Sequence, residues 1–436
     1  MSVQPLASER VVAIARDLIR IPSLTPVTEN LRPAARESLK FLQRFLEVSG
    51  AHCDWLTFEG GHDRWGYPVD NLYAEWGDDG SVGICFIGHT DVAPPGAPEA
   101  WSRDPFSGAV EDGFLHGRGA TDMKGTVAAF AVAAAAIAED YKAAGRSPRI
   151  GLIVTTDEEW VAINGTRRVL EWMRAKGKRP SAFLVGEPSS EAVFGSSIKI
   201  GRRGSLCGTL NAAGIQGHAA YPGLFENPNR ALNLALAILH SHRWYDAEPG
   251  MPATNFETVA TQSGDFGATA VIPGEARALW NIRFTHYETP ATLATKLQQL
   301  LDNPPRWAKD HPDARLLRKL KLTANSDTAA MPYYSAPGAF AALAKSIVAA
   351  RAGREPVFDA KGGTTDARFV HAYFPDAEII ELGLPECGGL THDRHPDRFS
   401  RAGGMHQADE CCSIDHLQSL TQCYRDLLSA FLETAA

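Results

Sequence analysis

A histidine and a carboxylate stand two residues apart in Gly88-His89-Thr90-Asp91, directly after the apolar run Val82 to Ile87. Such a run reads as a buried strand, and near a strand end residues i and i+2 point to the same side. Asp91 can then stand behind the His89 imidazole, as a carboxylate commonly stands behind a metal-binding histidine. Taken alone, the pair is more readily read as a satisfied polar loop. Further acids follow other apolar runs: Asp157-Glu158-Glu159 after Ile150 to Thr156, and Glu187 after Ala182 to Gly186. In a sheet with helices on both faces, ligands lie beyond the carboxyl ends of the strands. His89, Asp91, Glu158, Glu159 and Glu187 therefore converge on one crevice. Buried carboxylates are costly unless paired or metal-bound, so the crowding calls for a cation.

The elements that must position these residues can be read in chain order. Apolar spacing predicts helices over 8–20 and 34–49, then strands over 69–76 and 82–88. Pro94 to Asp104 is a loop, and Asp112-Gly113 marks a hairpin turn. Gly117-Arg118-Gly119-Ala120-Thr121-Asp122-Met123-Lys124-Gly125 has glycines without a strand feeding the turn, which sets it apart from a dinucleotide fingerprint. A helix over 125–143, a strand over 150–156, a helix over 164–176 and a strand over 182–186 complete an alternating pattern. From about 205 the texture changes. Strands over 205–212, 254–263 and 275–284 with a helix over 229–243 make a compact α+β insert, and 303–316 reads as an exposed excursion. A helix over 336–352, a strand over 377–382 and a closing helix over 413–433 restore the first texture.

Composition excludes several classes. At 436 residues two domains are expected. The net charge of -8 and the lack of a long basic run argue against nucleic acid. The longest apolar stretch, Val127 to Ala138, is alanine-rich and too short to span a bilayer. No signal-peptide core is evident, and seven scattered cysteines fit a reducing cytoplasm rather than a disulfide frame or a cysteine metal site. No Gly-x-Ser-x-Gly or P-loop occurs, which disfavours a serine hydrolase and a nucleotide enzyme.

The ordered set His89-Thr90-Asp91, Gly117 to Gly125, Asp157-Glu158-Glu159, Gly186-Glu187-Pro188-Ser189-Ser190 and Gly217-His218-Ala219-Ala220-Tyr221-Pro222 resembles the di-zinc M20 metallopeptidase and deacylase family. Ile163-Asn164-Gly165-Thr166, Gly201-Arg202-Arg203-Gly204-Ser205, Val271-Ile272-Pro273-Gly274-Glu275 and Gly362 to Phe369 extend the likeness over nearly the whole chain. The resemblance implies an α/β fold. A zinc-exopeptidase-like catalytic domain, a mixed sheet flanked by helices, would span residues 1–204 and 326–436. An inserted α+β dimerisation or lid domain would span 205–325.

The resemblance also implies roles. His89 and Glu187 hold one zinc, Glu159 and a C-terminal histidine the other, and Asp122 bridges them. Cobalt or manganese is an alternative in one site. Asp91 orients His89, and Glu158 is the general base. Two histidines with carboxylates and no cysteine suit zinc with an open position. His406 is the expected C-terminal ligand because Met405-His406-Gln407-Ala408-Asp409-Glu410 matches the family's sequence there, with His392 the alternative. Pro385 to Gly403 is then a surface insertion, and His395 and His416 are expected to be exposed. Arg202, Ser205, Tyr221, Arg283, Gly363 and Thr364 match substrate-holding positions, and arginine suits a dicarboxylic acyl group such as succinyl. His218 matches a histidine that one subunit of a homodimer lends to the other. Two positions depart from the family, Ala270 and the stretch Ala402-Gly403-Gly404, where it usually has asparagine; they bear on the acyl group. The expected activity is hydrolysis of a small N-acylated amino acid in the cytoplasm, with no nucleic-acid or membrane partner. The rivals are an M20 enzyme for acetylated substrates and, in another class, a non-catalytic metal-binding protein. The latter requires a broken base or ligand position, and none is broken.

Overall fold

The computed structural model describes residues 6–62, 66–77, 82–247, 250–386 and 403–434. His392, His395, Ala402 and most of the expected 385–403 insertion lie outside them. The chain forms two compact units, one of residues 1–200, 335–359 and 365–436, the other of residues 201–334 and 360–364.

The first unit is built on an eight-stranded mixed sheet. Its strand order is His52–Phe58, Val69–Trp76, Ile150–Thr155, Ile84–His89, Ala182–Val185, Glu378–Glu381, Ser197–Lys199, Val357–Asp359. The four strands from Ile150–Thr155 to Glu378–Glu381 run parallel. They are buried throughout or nearly so, as strands covered on both faces must be. Register shows how the faces are shared. Tyr73 pairs with Ile153, and Ile153 with Ile87, so these three point one way. Tyr73 meets Trp172 of helix Thr166–Ala175, ring centroids 5.2 Å apart. Phe86 points the other way and stacks on Phe130 of helix Lys124–Ala143 at 4.2 Å, with Tyr424 of helix Ile414–Thr434 edge-on. Helices therefore cover both faces. Alanines along 128–138 leave helix Lys124–Ala143 slim enough to be buried almost all round.

The second unit is a four-stranded antiparallel sheet in the order Asn255–Ser263, Glu275–Phe284, Gly204–Ala213, Leu320–Ala324. Burial alternates along Gly204–Ala213 and Glu275–Phe284, the mark of a sheet with one wet face. Leu206, Leu210, Trp280 and Ile282 join Leu293 and Leu297 of helix Pro290–Asp302 and Leu239 of helix Pro228–Ser241 in its core. The segment expected as an exposed excursion, 303–316, is exposed along most of its length but is pinned to the core. Residues Arg306–Lys309 and Ala314–Lys319 are short helical turns whose Ala308, Leu316 and Leu317 are buried in this core. Their helical spacing is hidden among charged residues.

The strands Ser197–Lys199, Val357–Asp359 and Cys411–Ser413 are shorter than the span of an alternation pattern and leave no periodic signal in the sequence. Among the described residues, no helix is long and apolar enough to cross a membrane. All six described cysteines are free thiols.

Candidate metal centre

Three parallel strands deliver the site. Strand Ile84–His89 ends on His89, whose register partner is Thr155, the last residue of its neighbour. Three and four residues further stand Glu158 and Glu159. On the other side Ile87 pairs with Val185, two residues before Glu187. The arrangement inferred from strand ends is thus a consequence of parallel register.

Asp91 is the hub of this corner. It is fully buried, and its carboxylate accepts from Thr25 Oγ1 at 2.9 Å and from the amides of Glu158 at 3.2 Å and Glu159 at 3.2 Å. His89 Nδ1 lies 2.9 Å from the Asp91 main-chain carbonyl, whereas the nearest carboxylate oxygen is 3.6 Å away. The ring is therefore oriented chiefly by the Asp91 backbone, because three other donors draw the carboxylate away. Burial pushes Asp91 up to about 6.

With Nδ1–H given to a carbonyl, the other ring nitrogen of a neutral His89 is a lone pair. Yet His89 Nε2 faces two carboxylate oxygens, Asp122 Oδ1 at 3.2 Å and Glu187 Oε1 at 3.7 Å. His406 Nε2 likewise lies 2.9 Å from Glu159 Oε2 and 3.5 Å from Asp122 Oδ2. A lone pair set against carboxylates requires a proton or a metal cation between them. Asp122 turns one oxygen to each imidazole, as a carboxylate shared by two ions would. The residues present therefore fit a divalent metal centre. Groupings with potential ligand atoms within 4.8 Å of one another are His89, Asp122 and Glu159, and His89, Glu158 and Glu187. The second grouping brings the expected base, Glu158, within reach of a ligand set.

Charge crowding shifts these groups. Burial raises Glu158 well above the usual carboxylate range, and the charges of Glu187 and Asp366 add to it. Burial alone would lower His89, but its contact with Asp122 and the charges of Asp91 and Glu187 raise it well above the ordinary imidazole value. His406 is raised chiefly by its contact with Glu159, against burial.

Several participants escape sequence inspection. Asp157 is buried, accepts from Tyr67 Oη at 2.7 Å and from the Asn164 amide at 3.2 Å, and is pushed up to about 7 by burial. It fastens the loop that carries Glu158 and Glu159. Asp366 is buried, with Arg368 Nη2 3.8 Å from its Oδ1. Glu410, visible in the sequence only as the end of the His406 motif, is fully buried against the Asp122 loop. His416 is corrected: it is half-buried, and its ring stacks on Phe194 at 5.7 Å.

The remaining expected residues belong to the second unit. Ser205 and Arg283 are register partners on neighbouring strands, and Ser205 Oγ accepts from Asn281 Nδ2 at 3.0 Å. Arg202 is buried and donates to the Lys361 carbonyl at 3.0 Å. Gly363 is exposed and Thr364 half-buried. His218 and Tyr221 are exposed, their rings 5.5 Å apart. His218 Nδ1 accepts from the Ala220 amide at 3.1 Å, which leaves Nε2 as the protonated nitrogen. Ala270 holds the Ala219 amide through its carbonyl at 2.9 Å.

Residues 85–430 match the model of peptidase family M20/M25/M40. The chain belongs to this family. It is 40% identical over 428 residues to a succinyl-diaminopimelate desuccinylase of Rhodospirillum centenum, covering 97% of this chain and 98% of the relative. The fold is shared with an M20 metallo-carboxypeptidase, Sso-CP2, of Sulfolobus solfataricus at 16% identity, TM-score 0.73, over 97% of this chain and 99% of that one. It is shared too with a dinuclear metal-binding M20 peptidase of Bacillus subtilis at 15% identity, TM-score 0.61, over 99% of this chain and 100% of the other.

Neighbouring carboxylates raise both imidazoles, so in the metal-free chain each keeps its second proton to a higher pH than an ordinary histidine does. An incoming divalent ion must displace those protons, so its affinity should rise with pH. Calorimetric titrations at about pH 6 and about pH 8 are expected to differ by more than about tenfold. Equal affinities would contradict the protonated pairs.

Proposed function

We propose that this chain hydrolyses the amide of N-succinyl-LL-2,6-diaminopimelate to succinate and LL-2,6-diaminopimelate, a step of lysine and diaminopimelate synthesis in the cytoplasm. The observation that carries this reading is the pair of imidazoles, each facing two carboxylate oxygens and sharing Asp122. Full-length similarity to a succinyl-diaminopimelate desuccinylase supports the choice of substrate. His89 and Glu187 would hold one zinc ion, Glu159 and His406 a second, and Asp122 both, with cobalt or manganese an alternative in one site. Bound there, two divalent ions supply positive charge that acidifies a water and polarises the amide carbonyl.

The chain's own residues do the rest. Glu158, held through its amide by Asp91 and with its affinity for a proton raised, takes the proton from the attacking water and delivers it to the leaving amine. Arg202 and Arg283 are suited to the carboxylates of a dicarboxylic acyl group and an amino acid. Ser205, Tyr221, Gly363 and Thr364 would complete the substrate's contacts. His218, with Nε2 protonated, can donate to the oxyanion formed as water attacks. In this reading the second unit forms a homodimer, and His218 of the partner subunit serves each active site.

A panel of N-acyl amino acids assayed with zinc tests the reaction. Turnover of the succinyl substrate is expected to exceed that of acetylated ones, and Glu158→Gln should lower kcat by on the order of 10²–10⁴ while both metals stay bound. Preference for N-acetyl substrates would replace the desuccinylase reading with a deacetylase one. Mixing tests the shared histidine. Inactive His218→Ala and Glu158→Ala homodimers, reassorted at random, should regain about a quarter of wild-type activity, since half the dimers carry one complete site. Reassortment confirmed by mass without recovered activity would confine His218 to its own chain.

A further inference from the structure

Glu410 lies four residues beyond His406 and is fully buried. Its Oε1 accepts from three amides of one loop, Gly119 at 3.1 Å, Thr121 at 3.0 Å and Asp122 at 3.2 Å. Its Oε2 accepts from Arg118 Nη1 at 2.6 Å. Arg118 Nη1 also donates to the Gln407 carbonyl at 3.2 Å, and the Gly117 amide donates to the Glu410 carbonyl at 2.8 Å. One side chain thus clasps the loop carrying Asp122 to the turn carrying His406. The same end of that turn is held a second time, because Asp409 Oδ1 accepts from the Ser102 amide at 2.8 Å and hydroxyl at 2.9 Å. Within this turn His406 has φ 61° and Asp409 φ 57°. Residues other than glycine hold such backbone only where their surroundings over-determine it.

We propose that Glu410, through Arg118 and the 119–122 amides, is a positioning residue that sets the separation of Asp122 from His406. It thereby sets the affinity of the metal site those two share with Glu159. The inference rests on the two-metal reading above. A carboxylate that collects three amides and a guanidinium has little freedom. Glutamine in its place has one accepting oxygen for the amides and turns an N–H group toward Arg118. The loop and the turn then lose their common anchor, while His89 and Glu187 keep theirs.

Zinc titration of Glu410→Gln by calorimetry, with thermal melts of the metal-free chain, tests this. The zinc beside Glu159 and His406 should bind at least about tenfold more weakly, and the zinc beside His89 and Glu187, which shares Asp122 but keeps its other two ligands in place, should be weakened less. kcat should be low at limiting zinc and recover at excess zinc, with KM for substrate unchanged. Both zinc ions bound at wild-type affinity by a folded variant would overturn the proposal, even with a lowered Tm, because the clasp would then serve only the fold. If Glu410→Gln does not fold, Glu410→Asp is read in the same way, since it keeps the charge but retracts it by one methylene. A wild-type chain that binds a single zinc would instead refute the two-metal reading itself.

Discussion

Like charges brought together in a dry crevice impose the condition that the first unit must meet. Asp91, Asp122, Glu158, Glu159 and Glu187 lie around two imidazoles, and burial raises Asp91 and Glu158 by penalising their charged forms. Carboxylates so placed must take up protons, pair with imidazolium or hold metal ions. The two histidines are placed for the second and third of these. Each Nε2 is turned toward carboxylate oxygens rather than toward a donor. Cations at both positions would remove the repulsion and, in the proposed mechanism, leave Glu158 to handle a proton. The same electrostatics that makes the metal-free site costly gives the loaded site its chemistry.

Order in such a site has to come from neutral or compensating groups outside it. Parallel register fixes His89 beside Thr155 and so beside the Glu158–Glu159 turn. Asp91 binds that turn through its two amides and reaches back to Thr25. On the opposite side the loop of Asp122 depends on Gly119, whose φ of 87° suits glycine, and on the buried Arg118–Glu410 pair. A buried ion pair adds little net stability against an apolar replacement. Its retention here is better explained by precise placement of Asp122 and His406 than by stability.

Much of this was legible because it is local. Apolar runs ending in acids announce parallel strands, and strand ends announce the site, so His89, Glu158, Glu159 and Glu187 could be named from spacing alone. His406 was reached only by resemblance, since its turn has no periodicity and its contacts lie 247 residues away at Glu159. Glu410 was not singled out for the same reason: its partners at 119–122 are 288 to 291 residues distant. The Asp91 carboxylate was assigned to the His89 ring because the sequence does not reveal the three competing donors. His416 was expected in solvent because the ring of Phe194 that covers it comes from a distant loop. The turns at Arg306–Lys309 and Ala314–Lys319, which bury only Ala308, Leu316 and Leu317, show how one-sided burial is concealed when the outer face is densely charged.

The central claim is that Asp122 is shared by two metal ions, each also held by one histidine and one glutamate. Anomalous diffraction from crystals grown with zinc tests it directly. The account predicts two peaks, each about 2.0–2.2 Å from an Asp122 oxygen, one beside His89 and Glu187 and the other beside Glu159 and His406. A single peak, or two peaks of which only one touches Asp122, would contradict it.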